Sequence, residues 1–307
     1  RKTLEYRSMP GGFSVIDLSD GCPRAAVRSF TLKDQTGKPG MPSGDDKRTF
    51  DRTVDLNGDG TIQPNEEDLE VPLEDNRPAN LEPEYVVFHP DGTRAFLTLQ
   101  ENNAVIVVDA RAGKVLAVHG LGTTSHKADR TEDGTVAFDE DLVAFREPDG
   151  IAVTPDGRYF VTADEGDTDP KAAKTPKGMP TGGGRTLSVF DAETGDFVGD
   201  TGNQLDEAAH AAGVYPDKRS DSKGSEPEVP AAFEVDGTAY VAVSLERANA
   251  LALVSLATPA APRVLGVFPL GETSIAPEGV AIYERAGRIF VLSANEVSGD
   301  VSVFEVR

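Results

Sequence analysis

Pro277-Glu278-Gly279-Val280-Ala281, the turn Arg285-Ala286-Gly287, Ile289-Phe290-Val291-Leu292-Ser293 and Val301-Ser302-Val303-Phe304-Glu305 follow one another at the end of the chain. Each apolar run has strand length and is rich in β-branched and aromatic residues, and Gly287 supplies the positive φ that a tight hairpin turn needs. The same order of parts recurs three times upstream. Pro83-Glu84-Tyr85-Val86-Val87, Pro148-Asp149-Gly150-Ile151-Ala152 and Pro227-Glu228-Val229-Pro230-Ala231 open first strands. His89-Pro90-Asp91-Gly92, Thr154-Pro155-Asp156-Gly157 and Val235-Asp236-Gly237 turn the chain into second strands at 95–99, 159–163 and 240–244. Third strands follow at 105–109, 187–191 and 251–255, and fourth strands at 114–119, 196–198 and 263–268.

A repeated antiparallel meander of four strands is a propeller blade. The sequence therefore predicts an all-β fold, a β-propeller of four-stranded antiparallel blades, as one domain over residues 1–307. Phe13-Ser14-Val15-Ile16-Asp17 matches a third strand and 26–32 a fourth, while the last repeat stops after its third strand. About four and a half blades are thus expected, fewer than a ring closes on comfortably. The propeller is read as N-terminally incomplete, with two or three blades supplied upstream or by another chain.

Meander geometry sets where function can sit. Connections from strand one to two and from three to four are short, whereas the long segments 33–82, 120–147, 166–185 and 201–226 lie at the other turns and so share one face. Acids mark that face. Glu84, Asp149, Glu228 and Glu278 open the first strands, and Glu101, Glu165, Glu246 and Glu296 close the second strands. Converging carboxylates raise one another's pKa unless a cation intervenes, and an oxygen-only ligand set favours calcium or magnesium over zinc or copper. The competing reading is that these acids cap strand backbones, a habit repeated with the blade.

The segment 33–80 carries a second signal. Asp55-Leu56-Asn57-Gly58-Asp59-Gly60-Thr61-Ile62-Gln63-Pro64-Asn65-Glu66 has the spacing of an EF-hand loop, with Asp55, Asn57, Asp59 and Glu66 as side-chain ligands. Thr61 would ligate through its carbonyl and Gln63 directly or through water. Pro72 ends any exiting helix early, so a lone structural calcium site is expected rather than a paired sensor.

Composition narrows the partners. A formal charge of −22 argues against nucleic acid and anionic membranes and favours cations. No apolar stretch approaches the ~18 residues of a membrane span, and residues 1–20 lack the apolar core of a signal peptide. Cys22 stands alone, so no intramolecular disulfide can form. His126 and His210 occur in long loops without ligand spacing, and no Gly-x-Ser-x-Gly elbow or phosphate-binding glycine loop is present.

Several stretches resemble the choice-of-anchor I propeller domain family, which includes mesenchyme-specific cell-surface glycoproteins linked to biomineralisation. They are Leu81-Glu82-Pro83-Glu84-Tyr85, Thr98-Leu99-Gln100-Glu101-Asn102-Asn103-Ala104, Arg219-Ser220-Asp221-Ser222-Lys223-Gly224-Ser225-Glu226-Pro227-Glu228 and Ala294-Asn295-Glu296-Val297-Ser298-Gly299. The resemblance implies an extracellular propeller of about seven blades, without a settled activity. The segment 33–80 departs from that pattern.

Three functions are consistent with these features. The first is an extracellular, periplasmic or cell-surface calcium-binding protein, more a binder than an enzyme. The second is a calcium-dependent phosphohydrolase, a phosphoric ester hydrolase in which carboxylate-held metal activates water and cationic side chains clamp phosphate. Arg219, Lys223 and Arg247 are its candidate anion contacts, with Arg130 and Arg146 near the same face. The third is a non-catalytic subunit of a surface assembly with protein partners.

Overall fold

The computed structural model describes residues 11–17, 26–32, 47–50, 70–72, 81–165, 173–174, 180 and 183–307. Strands β1 (Gly12–Asp17) and β2 (Ala26–Thr31) pair antiparallel as two strands of one sheet. Next come β3 (Lys47–Phe50) and β4 (Glu70–Pro72). The first full meander is β5 (Pro83–Phe88), β6 (Arg94–Leu99), β7 (Ala104–Asp109) and β8 (Lys114–Gly120). A hairpin of β9 (Thr123–Ala128) and β10 (Glu140–Phe145) follows it. The second meander is β11 (Pro148–Val153), β12 (Tyr159–Asp164), β14 (Thr186–Asp191) and β15 (Phe197–Asp200), interrupted by β13 (Ala173–Lys174). Helix α1 (Gln204–Ala211) leads to the third meander, β16 (Pro227–Val235), β17 (Thr238–Leu245), β18 (Ala250–Ser255) and β19 (Arg263–Pro269). The last sheet holds β20 (Pro277–Arg285), β21 (Arg288–Asn295) and β22 (Asp300–Val306).

The first strands β5, β11, β16 and β20 lie beside one another, and the hydrophobic clusters form between successive sheets. Phe96 of β6 meets Phe160 of β12 at 5.5 Å between ring centroids, and Phe160 stacks on Phe190 at 5.0 Å. Val161, Ala163 and Leu187 face Val241, Val243 and Leu245 of the next sheet, and Phe233 and Leu251 face Val291 of the last. Sheets radiating from adjacent inner strands and packed face to face are the blades of a β-propeller. Because a central blade is covered on both sides, β6, β7, β12 and β14 are buried almost throughout. That is why their sequences run continuously apolar instead of alternating. Burying a phenylalanine such as Phe160 contributes roughly 1.5–3 kcal/mol.

Each first strand begins with a dislocation. The register shifts between Pro83 and Val86, Pro148 and Ile151, Pro227 and Pro230, and Pro277 and Gly279, so Glu84, Asp149, Glu228 and Glu278 sit within bulges. A bulge turns residues out of the pleat, and proline is tolerated there because it needs no ladder partner. The preceding residues Glu147, Glu226 and Ala276 have φ of 53°, 59° and 60°. Neighbouring blades hold two of these corners: Asn103 Oδ1 accepts from Glu147 N at 3.1 Å, and Asn249 Oδ1 accepts from Ala276 N at 2.9 Å. At Gly150 the inner strands approach so closely that a Cβ would stand 2.5 Å from the carbonyl oxygen of Glu228.

The long segments carry structure that the repeat did not foretell. Residues 120–147 contain the β9–β10 hairpin, and 201–226 contain α1 and a 3₁₀ turn at Asp217–Arg219. Strands β13, β3 and β4 form one sheet, so the 33–80 segment pairs with the one that precedes β14. The calcium-loop residues Asp55, Asn57, Asp59, Thr61, Gln63 and Glu66 lie outside the described residues.

Candidate functional site

The eight repeat-placed acids meet at one end of the inner strands, and the backbone explains how the second-strand set arrives there. The amides of Glu165, Glu246 and Glu296 donate to the carbonyls of Glu147, Glu226 and Ala276 at 3.2, 2.9 and 2.7 Å. The end of each second strand is thereby tied to the start of its own first strand, which lays the closing glutamate beside the bulged acid. In these three repeats the backbone tie is made by the peptide groups, whereas the Glu101 carboxylate accepts a hydrogen bond from its own amide.

Carboxylate contacts run along the arc. Asp149 shares a hydrogen bond with Glu228, Glu228 with Glu246, and Glu278 with Glu296. Two trios bring ligand oxygens within 4.8 Å of one another: Glu82, Glu84 and Glu101, and the buried Glu165, Glu226 and Glu228. Glu82 and Glu226 were not among the expected eight. Their signal was in the sequence all the same, because an acid stands on both sides of Pro83, Pro148 and Pro227.

The trios differ in charge compensation. Lys223 forms ion pairs with Glu165 and, at 2.8 Å, with Glu226. Arg247 reaches Glu226 at 2.5 Å and Glu246 at 2.6 Å, and the Gln100 amide donates to Glu165. Glu226 is held below the ordinary carboxylate range because these cations outweigh its burial. Burial, followed by the Asp149 hydrogen bond, pushes Glu228 far up, so the Asp149–Glu228 pair keeps a proton. Around Glu82, Glu84 and Glu101, no cationic partner is present among the described residues. Burial first, then the charges of Glu82, Glu84 and Asp149, raise Glu101 to about 7. Its Oε2 is buried without a hydrogen-bond partner among the described residues. An orphaned buried carboxylate oxygen beside two further carboxylates is a donor set that suits a hard cation.

The expected anion contacts are placed differently. Lys223 and Arg247 are engaged by carboxylates, and Arg219 is half-buried with its Nε unpartnered among the described residues. Arg146 is no surface clamp: it is buried, bonds Ser188 and Asp200 at 2.6 and 2.9 Å, and lies 4.3 Å over Phe197. Arg130 donates to the Asp141 carbonyl. The ring nitrogens of His126 lie 2.9 Å from the carbonyls of Lys127 and Gly184, as a structural histidine's would.

A model of the choice-of-anchor I domain matches residues 8–179 and 169–259, most of the chain. The chain belongs to the choice-of-anchor I domain family. No curated protein matches it. Among solved structures, it is similar to U3-55K, at 11% identity over 73% of this chain and 52% of that one, TM-score 0.39. It is similar to hydrazine synthase of Kuenenia stuttgartiensis, at 17% identity over 74% and 64%, TM-score 0.38. It is also similar to the β-propeller domain of Myceliophteria thermophila Cps50 (Swd1), at 11% identity over 95% and 63%, TM-score 0.44. The chain spans about half to two thirds of the length of these structures. The choice-of-anchor I match extends from before β1 to beyond β18, and so includes both carboxylate trios.

Proposed function

We propose that this choice-of-anchor I propeller is a calcium-binding protein of the cell surface or extracellular matrix. A choice-of-anchor domain implies a surface-anchored or secreted protein, and no helix among the described residues is long and apolar enough to cross a membrane. The observation that carries the calcium reading is the Glu82–Glu84–Glu101 trio, which has no counter-cation among the described residues and an orphaned buried oxygen on Glu101. Calcium would be held there by carboxylate oxygens, with Asp149 adding to the field. The EF-hand spacing of 55–66 supports a second, separate calcium position.

Calorimetric titration of the purified chain with calcium tests the reading. Saturable binding that weakens in Glu84→Gln and Glu101→Gln is expected, and absence of saturable binding rejects it. The phosphohydrolase alternative is less well supported, because Lys223 and Arg247 are bound to carboxylates rather than open to a phosphate.

A further inference from the structure

The Glu165–Glu226–Glu228 trio already contains a cation of the protein's own. Lys223 is 7% exposed, and its ammonium contacts Glu165 and Glu226 while bearing electrostatically on Asp149. A lysine this buried is retained as a charge only where its partners repay the lost hydration, and these carboxylates do so.

The loop that delivers this side chain is fixed from several directions. The carbonyl of Arg219 accepts from the amides of Ser222, Lys223 and Gly224 at 3.1, 2.9 and 2.9 Å, folding the loop back on itself. Gly224 adopts φ +55°, where a Cβ would stand 2.6 Å from Asp206 Oδ2 of α1, so only glycine fits. Asp206 Oδ1 accepts from Ser225 N at 2.9 Å. The hydroxyl of Ser220 bonds Asp129 at 3.1 Å, and Arg185 donates to the Ser220 carbonyl at 2.8 Å. Lys223 is therefore aimed into the trio by a rigid frame, rather than drawn there as a mobile surface chain.

We infer that Lys223 is a tethered counter-cation that occupies the Glu165–Glu226–Glu228 trio and excludes a divalent metal from it. The Arg219–Glu226 loop is the device that keeps it seated. An ammonium between Glu165 and Glu226 takes the coordination volume and the charge that a divalent ion would need, and Arg247 compensates the remainder. In combination with the proposed function, on which this last point rests, Glu82, Glu84 and Glu101 are the one of these two trios that accepts metal.

The test compares calcium stoichiometry by calorimetry in the wild type, Lys223→Gln and Lys223→Arg. Lys223→Gln should bind one more equivalent than the wild type, and Glu165→Gln in that background should remove it. Lys223→Arg should keep the wild-type count. A folded Lys223→Gln protein with unchanged stoichiometry overturns the inference. If the wild type binds no calcium and Lys223→Gln binds one equivalent, the proposed function fails and this inference stands. Should Lys223→Gln fail to fold, acetic anhydride labelling of the wild type decides the matter. Lys223 is expected to stay unlabelled with and without saturating calcium, and labelling that rises with calcium would mean that the metal displaces the ammonium.

Discussion

Replacing Glu101 with glutamine should do two opposite things, one sized by the burial of its carboxyl and the other by the calcium concentration chosen. In the metal-free protein the Glu101 carboxyl titrates at about 7 instead of 4.5, chiefly through burial. A carboxyl raised in this way stabilises the fold while protonated, fully so below the unfolded value, and the advantage is lost as pH rises toward 7. At 1.36 kcal/mol per pH unit, ionising it at pH 8 costs the fold roughly 3 kcal/mol. Water at the partly open carboxyl screens some of this, leaving about 2 kcal/mol. Glu101→Gln has no charge to ionise. In chelator at pH 8 it should therefore be about 2 kcal/mol more stable than the wild type, and near pH 4 the two should coincide. Calcium reverses the order: at a hundredfold excess over Kd, binding stabilises the wild type by about 2.7 kcal/mol, and the variant gains much less at this position. Urea unfolding at both pH values, with and without calcium, measures all four states. A variant less stable than the wild type in chelator at pH 8, or equally stabilised by calcium, would refute the reasoning.

Phe160→Ala should cost about 3–5 kcal/mol in urea unfolding, because its ring lies between Phe96 and Phe190 at the contact of two blades. Arg146→Met should cost about 3–5 kcal/mol by leaving Asp164 and Asp200 without their cation, and Asp164→Asn in that background should recover part of the loss. Asn249→Ala removes the 2.9 Å bond to the Ala276 amide; a loss of about 1–3 kcal/mol is expected, with Glu278 and Glu296 less well held. Glu66→Gln should abolish one class of calcium binding without altering the response to Glu101→Gln, which two-site calorimetry would resolve.

The strand repeat was legible because it is local. Short apolar runs, turn glycines and Pro-acid strand starts recur in order along the chain, and β5–β8, β11–β15, β16–β19 and β20–β22 fall where they do. The eight acids were legible for the same reason: a residue fixed relative to a repeated strand is fixed relative to the axis. The EF-hand spacing is likewise a pattern of neighbours, complete in twelve residues.

What the sequence left undetermined is how distant residues divide the acidic face between them. Lys223 reads as an available cation until it is seen on Glu165, 58 residues away, and Arg146 reads as a surface charge until it is found beneath the hairpin beside Asp164 and Asp200. No local period encodes such pairings, because they depend on which inserted segments fold back over which blades. The sequence alone determined that this is a bladed β protein with a carboxylate-lined face. Only the tertiary structure decided that one trio on that face is neutralised from within, while the other has no counter-cation among the described residues. The cause is physical: charge compensation is a property of distances through space, and a loop anchored by Asp129, Asp206 and Arg185 sets those distances.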